Sequence, residues 1–250
     1  HKIINIYKQV VDSISYIVTR DDIYYKINWN YLRKIINILA EEEESNLCRE
    51  ISHRDRKEQM LQQKYIDINE NSSSEEQYDK FSDLPMLKRD VEKNICPFRP
   101  GWRDRYYQLL FNKTSEKGTI FRRTICLEYL KGIEWVFMYY FHGCPDWRWY
   151  YPYVYPPLLY DLRDVMNGYI GTNFNDDKGP TKDIIQLAYV LPPESFDLLT
   201  PKNKQKLLNQ LGGYQYHTGE FIWAFCTHMW ETHVIFPALD FNTFEQIFHL

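Results

Sequence analysis

Cysteine is scarce in this chain and none of it is paired: Cys48, Cys96, Cys126, Cys144 and Cys226 are odd in number, widely spaced and without a CxxC. That excludes a disulfide framework and reads as free thiols in a reducing compartment. An excess of basic charge is also missing. Thirty Lys and Arg against 34 Asp and Glu leave a net charge of −4, so the chain lacks the field of an autonomous nucleic-acid binder, and any such contact is local. No uncharged apolar run reaches the roughly 20 residues of a spanning helix. The longest, around Trp135 to Pro145, is interrupted by His142 and Gly143, and no signal-peptide pattern occurs. Gly-rich phosphate loops, nucleophile elbows and internal repeats are absent as well. These absences describe a soluble intracellular protein with no membrane partner.

What remains is ample for a core. The 250 residues are 44% hydrophobic and 26% charged, enough for one sizeable domain or part of a larger one. The start, "HKIINIYKQVV", has neither Met nor a capping residue and already shows helical spacing at Ile3, Ile6, Tyr7 and Val10, so a missing upstream segment is expected. "YIVTRDDIYYKINW" reads as a turn or hairpin. From Tyr31 to Tyr65 one long helix is expected, with Leu32, Ile35, Ile36 and Leu39 on one face and Glu41 to Glu44 as a solvated acidic block. Residues 66–83 are polar, Ser-rich and poor in apolar side chains, the composition of a flexible insertion between ordered parts. The chain is thus read as 1–65, 66–83 and 84–250.

Beyond the insertion the pattern is helical and more apolar. Thr119 to Gly143 carries Phe121, Ile125, Tyr129, Ile133, Val136 and Tyr140 at spacings of four and three, and its second half is apolar nearly all round. It is expected to be central and buried, with Trp135 in the core. Short helices with proline breaks follow, and period-two alternation is rare. The fold class is mainly α.

One stretch does not fit a regular element. "DWRWYYPYVYPP", residues 146–157, holds two Trp, four Tyr and three Pro. Pro152, Pro156 and Pro157 keep it extended and stiff, which lowers the entropic cost of presenting rings to a ligand. Packing into the core is the plainer role for most of Tyr150, Tyr151, Tyr153 and Tyr155. Other clusters are weaker. Cys226, His228 and His233 lack the second pair of a metal site. Arg103, Arg105, Arg122, Arg123 and Arg148 read as surface ion pairs, and Asp146, Asp161, Asp164 and Asp240 as caps and surface charge.

In order, "YIVTRDDIYYKINWNYL", "PGWRDRYY", "YLKGIEWVFMYYFHG", "DWRWYYPYVYPPLLYDL", "QLAYVLPPES" and "HVIFPALD" resemble the later conserved part of the XRN family of 5′→3′ exoribonucleases. The resemblance implies the helical portion of a larger α/β nuclease core, packed against an upstream catalytic segment of the same polypeptide. It implies a substrate, single-stranded RNA with a 5′-monophosphate, degraded processively. It also implies Mg²⁺ in the parent enzyme, bound by carboxylates that lie upstream and are absent from this chain, so no catalytic or metal residue is assigned here. An aromatic residue of this segment stacks on the 5′-terminal bases in the family, and the role carries over to Trp147 or Trp149. Stacking holds any sequence because every base offers a π-face. Val154 and Pro156 stand where the family commonly has His and a small residue. A non-catalytic RNA-binding scaffold of the same architecture is the alternative.

Overall fold

A computed structural model describes residues 2–11, 16–66, 68, 72–111, 118–174, 179–210, 220–235 and 241–249. The chain opens with α1 (Lys2–Val10), a hairpin of β1 (Val18–Asp21) and β2 (Tyr24–Ile27), then α2 (Trp29–Glu41) and α3 (Glu43–Lys64). Four shorter helices follow: α4 (Ser74–Ser82), α5 (Leu84–Leu87), α6 (Asp90–Ile95) and α7 (Trp102–Phe111). The longest, α8 (Gly118–His142), leads through the irregular stretch 143–158 into α9 (Leu159–Met166). The remainder is α10 (Asp183–Val190), α11 (Pro201–Gln210), a strand pair of β3 (Glu220–Ile222) and β4 (His233–Ile235), and α12 (Phe241–His249). The fold is mainly α, as the spacing of apolar residues requires.

The chain divides into two compact units. The first comprises His1–Asp176 and Ala224–Trp230. Its β1–β2 hairpin pairs antiparallel with Val18 opposite Ile27, and Asp22 takes the positive φ of the tight turn. Two apolar clusters hold this unit. In one, Ile36 of α2 meets Cys126 and Leu130 of α8 and Leu162, Val165 and Met166 of α9. In the other, Ile95, Trp102, Tyr106, Tyr107, Ile125 and Leu158 pack together. Helices from both sides of 66–83 therefore share one core.

A buried ionic network adds a polar joint to this unit. Arg54 donates to both carboxylate oxygens of Glu92 (2.9 and 2.8 Å), and Arg89 reaches Glu92, Glu58 and Asp55 at 2.7, 3.1 and 2.9 Å. The same groups hold the segment 224–226, because the amide of Phe225 donates to Glu92 and Arg54 donates to the carbonyl of Cys226. Burying these charges is tolerable only because each is paired and hydrogen-bonded.

The second unit comprises Asp177–Trp223 and Glu231–Leu250. Ile185, Ala188, Leu191, Phe196, Leu199, Leu207 and Phe244 form its core. Here β3 and β4 pair antiparallel, with Glu220 opposite Ile235.

Three expectations are corrected. The helix from Tyr31 to Tyr65 breaks at Glu42 into α2 and α3. The acidic block at that break is solvated at Glu41 and Glu44 but has structural partners as well. The Glu43 carboxylate accepts from the amides of Leu159 and Tyr160, Glu44 accepts from the Trp102 indole at 3.0 Å, and Glu42 pairs with Lys2. The capping partner of Glu43 lies 116 residues away in the chain, beyond the reach of local patterning.

In the insertion, residues 67 and 69–71 lie outside the described residues, but 74–82 form α4. Ser73 and Glu76 cap it reciprocally, a capping box that offsets a poor apolar content. The last correction concerns α8, whose second half is largely exposed: Val136, Tyr139, Tyr140 and Phe141 have 50%, 50%, 79% and 45% of their surface open. Trp135 is only partly buried, its ring stacked on Tyr139 at 5.4 Å.

Candidate nucleic-acid interface

Residues 146–158 run along α8 without regular secondary structure, and each end is tied down. At the start, Asp146 Oδ1 accepts from the amides of Arg148 and Trp149 at 2.8 and 2.9 Å, a side-chain turn that orients the second Trp. The Asp146 carbonyl accepts from the Trp135 indole at 2.8 Å. At the far end, the Tyr106 hydroxyl donates to the Pro156 carbonyl at 2.9 Å, and the amide of Leu158 donates to the Tyr107 hydroxyl at 3.0 Å. The prolines have no N–H and so need no acceptor, and the carbonyls that remain are met in part by tyrosine hydroxyls.

The tyrosines divide between core and surface. Tyr155 is buried and donates to the carbonyl of Ala224 at 3.3 Å, while Tyr151 donates to the carbonyl of Tyr155 at 2.9 Å. Tyr151 and Tyr153 sit edge to face at 5.4 Å, and Tyr153 reaches Phe111 and Phe121. Tyr150, by contrast, is 73% exposed. Burial drives the hydroxyls of Tyr107, Tyr151 and Tyr155 well above the usual phenol range, so all three remain neutral donors or acceptors at ordinary pH.

The two Trp have different environments. Trp149 is half-buried: its indole donates to Glu128 at 3.0 Å, its ring lies 6.4 Å from Trp135, and the Lys131 ammonium sits 5.5 Å from its centroid. Its outer ring edge lies over Gly132, where an added Cβ would come within 3.0 Å. A glycine in a helix interior costs about 0.5–1 kcal/mol relative to Ala, and here it admits the ring. Trp147 is 51% exposed. The pair that looks alike in sequence therefore differs in exposure, Trp149 half-buried on α8 and Trp147 51% exposed. Sequence reading missed Glu128 and Gly132, the two residues on one α8 face, four positions apart, that seat Trp149.

Other candidate residues are structural. Arg105 closes the turn before α7 by donating to the carbonyls of Ile95, Cys96, Arg99 and Pro100. Arg122 pairs with Asp104, Arg103 with Glu44, and His228 with Asp83 at 3.1 Å. Asp161 accepts from the Tyr107 hydroxyl, and burial raises its carboxyl above the ordinary value. Asp240 lies outside the described residues. Among the described residues no three His, Cys, Asp or Glu side chains converge where a metal ion could be held. The donor set described here does not fit a catalytic metal, so no hydrolytic step is derived from it.

Fold and strip together define a helical module that offers an aromatic face and no acidic metal cradle among its described residues. The family described as the Xrn1 helical domain matches residues 86–212, half of the chain, and the chain belongs to that family. It is 37% identical over 138 residues to the "5'-3' exoribonuclease 2" of Debaryomyces hansenii, covering 54% of this chain and 14% of the relative. With the protein of the same name from Gibberella zeae it shares 39% over 110 residues, 44% and 11% of the two chains. With the "5'-3' exoribonuclease 2 homolog" of Caenorhabditis elegans it shares 33% over 135 residues, 52% and 13%. The chain thus spans about a seventh or less of the length of these relatives.

Proposed function

We propose that this chain is the helical part of a 5′→3′ exoribonuclease polypeptide that processively degrades single-stranded RNA from a 5′-monophosphate end. The chemistry, with Mg²⁺, belongs to an upstream catalytic segment; this part supports that segment and offers a wall to the substrate. The observation that carries the reading is the exposure of Trp147, 51% open on the proline-stiffened segment next to Trp149, whose ring packs on α8. An exposed, sequence-indifferent ring on a proline-stiffened segment is what a stacking contact to RNA requires. The open apolar second half of α8 is the face offered to the upstream segment. Free cysteines support an intracellular setting.

The test is a decay assay on 5′-monophosphorylated RNA with Mg²⁺. The parent polypeptide should shorten it from the 5′ end, and residues 1–250 alone should not. A parent that leaves the RNA intact overturns the enzymatic reading. Decay by residues 1–250 alone overturns the assignment of the chemistry upstream.

A further inference from the structure

The first unit contains a cavity that the RNA reading does not use. It has a volume of about 570 Å³, within the range of small-molecule sites, and lies between the α2–α3 junction and Tyr155–Leu159. Its walls are apolar and aromatic, including Leu47, Tyr106, Tyr129 and Leu159. Trp147 and Trp149 do not line it.

The polar groups at its edge have one sign. Glu43 and Glu50 line the cavity together with the amide of Asn46, and none of the lining residues among those described is Lys, Arg or His. Glu43 is fixed by the amides at the start of α9. Glu50 is exposed and has no hydrogen bond or ion pair among the described residues. The nearest cations, Lys2 and Arg49, both donate to Asn46 Oδ1, and Lys2 also pairs with Glu42, so the lining itself offers a phosphate two carboxylates and no cation, which disfavours nucleotides and RNA. An ammonium would meet a carboxylate beside an aromatic lining, a favourable setting for a cation.

We propose that this cavity binds a small organic cation, an ammonium group on an apolar or aromatic body. The apolar body fills the space against Leu47 and Leu159, and the charged end lies at the rim beside Glu50. The proposal stands apart from the RNA reading, since neither proposed stacking residue takes part.

The probes are 4-phenylbutylamine, the neutral 4-phenylbutanol and the anionic 4-phenylbutyrate, titrated into the whole chain and into the parent polypeptide by calorimetry. The amine should bind saturably to both, the alcohol more weakly, and the acid not at all. Glu50→Gln, at an exposed position that folding tolerates, should weaken the amine about two- to fivefold, the scale of one exposed ion pair. Leu47→Phe, which fills the space, should weaken it at least about tenfold. Adenosine monophosphate should not compete. Absence of amine binding, equal binding of the acid, competition by the nucleotide, or binding indifferent to both variants overturns the proposal. So does binding to this chain that is lost in the parent, because the cavity is then occupied by the rest of the polypeptide.

Discussion

The second half of α8 is the more apolar in sequence, yet the two halves behave as different kinds of surface in the opposite sense. In the first half, Ile125, Cys126 and Leu130 are fully buried against α2, α7 and α9, and burial pushes the Cys126 thiol up to about 12. In the second half, Val136, Tyr139 and Tyr140 stay open, although Ile133 still reaches the α2–α9 cluster, Trp149 covers Gly132, and Tyr25 and Tyr24 pack on Phe141 and His142 at 4.9 and 5.0 Å. Apolar composition tells that a surface wants a partner. Whether the partner is in the same unit depends on which helices cross there.

That contrast is open to direct attack. Leu130→Ala in the buried half should cost about 2–5 kcal/mol of stability in urea unfolding, the range for deleting a fully buried Leu. A loss below about 1 kcal/mol would put the first half on the surface as well.

The cap on the helix that covers this half comes next. Glu43→Ala leaves the amides of Leu159 and Tyr160 without their acceptor and should cost about 1 kcal/mol at neutral pH. Burial raises the Glu43 carboxyl above its ordinary 4.5, so the folded chain keeps a proton that the unfolded chain releases. That share of stability is complete below pH 4.5 and is lost as the pH rises through the folded value. The penalty of Glu43→Ala should therefore be larger at pH 4 than at pH 7, and the opposite trend would mean that the carboxylate is stabilised in place.

The smallest effect is expected in the open half. Tyr140→Ser should change stability by no more than about 0.5 kcal/mol. A cost near that of Leu130→Ala would erase the distinction.

Apolar spacing and proline chemistry, both local, were enough to read the mainly helical class, a turn or hairpin where β1 and β2 lie, and the irregular 146–157 strip. They failed where long-range partners decide. Nothing near Glu43 announces that its carboxylate caps α9, and nothing near Glu42 announces the break that turns it there. The Ser73–Glu76 box that starts α4 was readable in principle and was masked by the polar composition around it. At the candidate site, the W-x-W pair was legible as a pair, but its division was not. Trp149 is seated by Glu128 and Gly132, which lie on a helix that sequence reading treated as uniformly buried.

That division is the central claim, and single-stranded RNA affinity in the parent polypeptide tests it most directly. Trp147→Ala should weaken binding by about 1–3 kcal/mol across unrelated sequences when measured well below the melting temperature. Trp149→Ala should lower the melting temperature first. If folded Trp147→Ala binds RNA as tightly as the wild type, the exposed ring is not a stacking residue and the account of the interface is wrong.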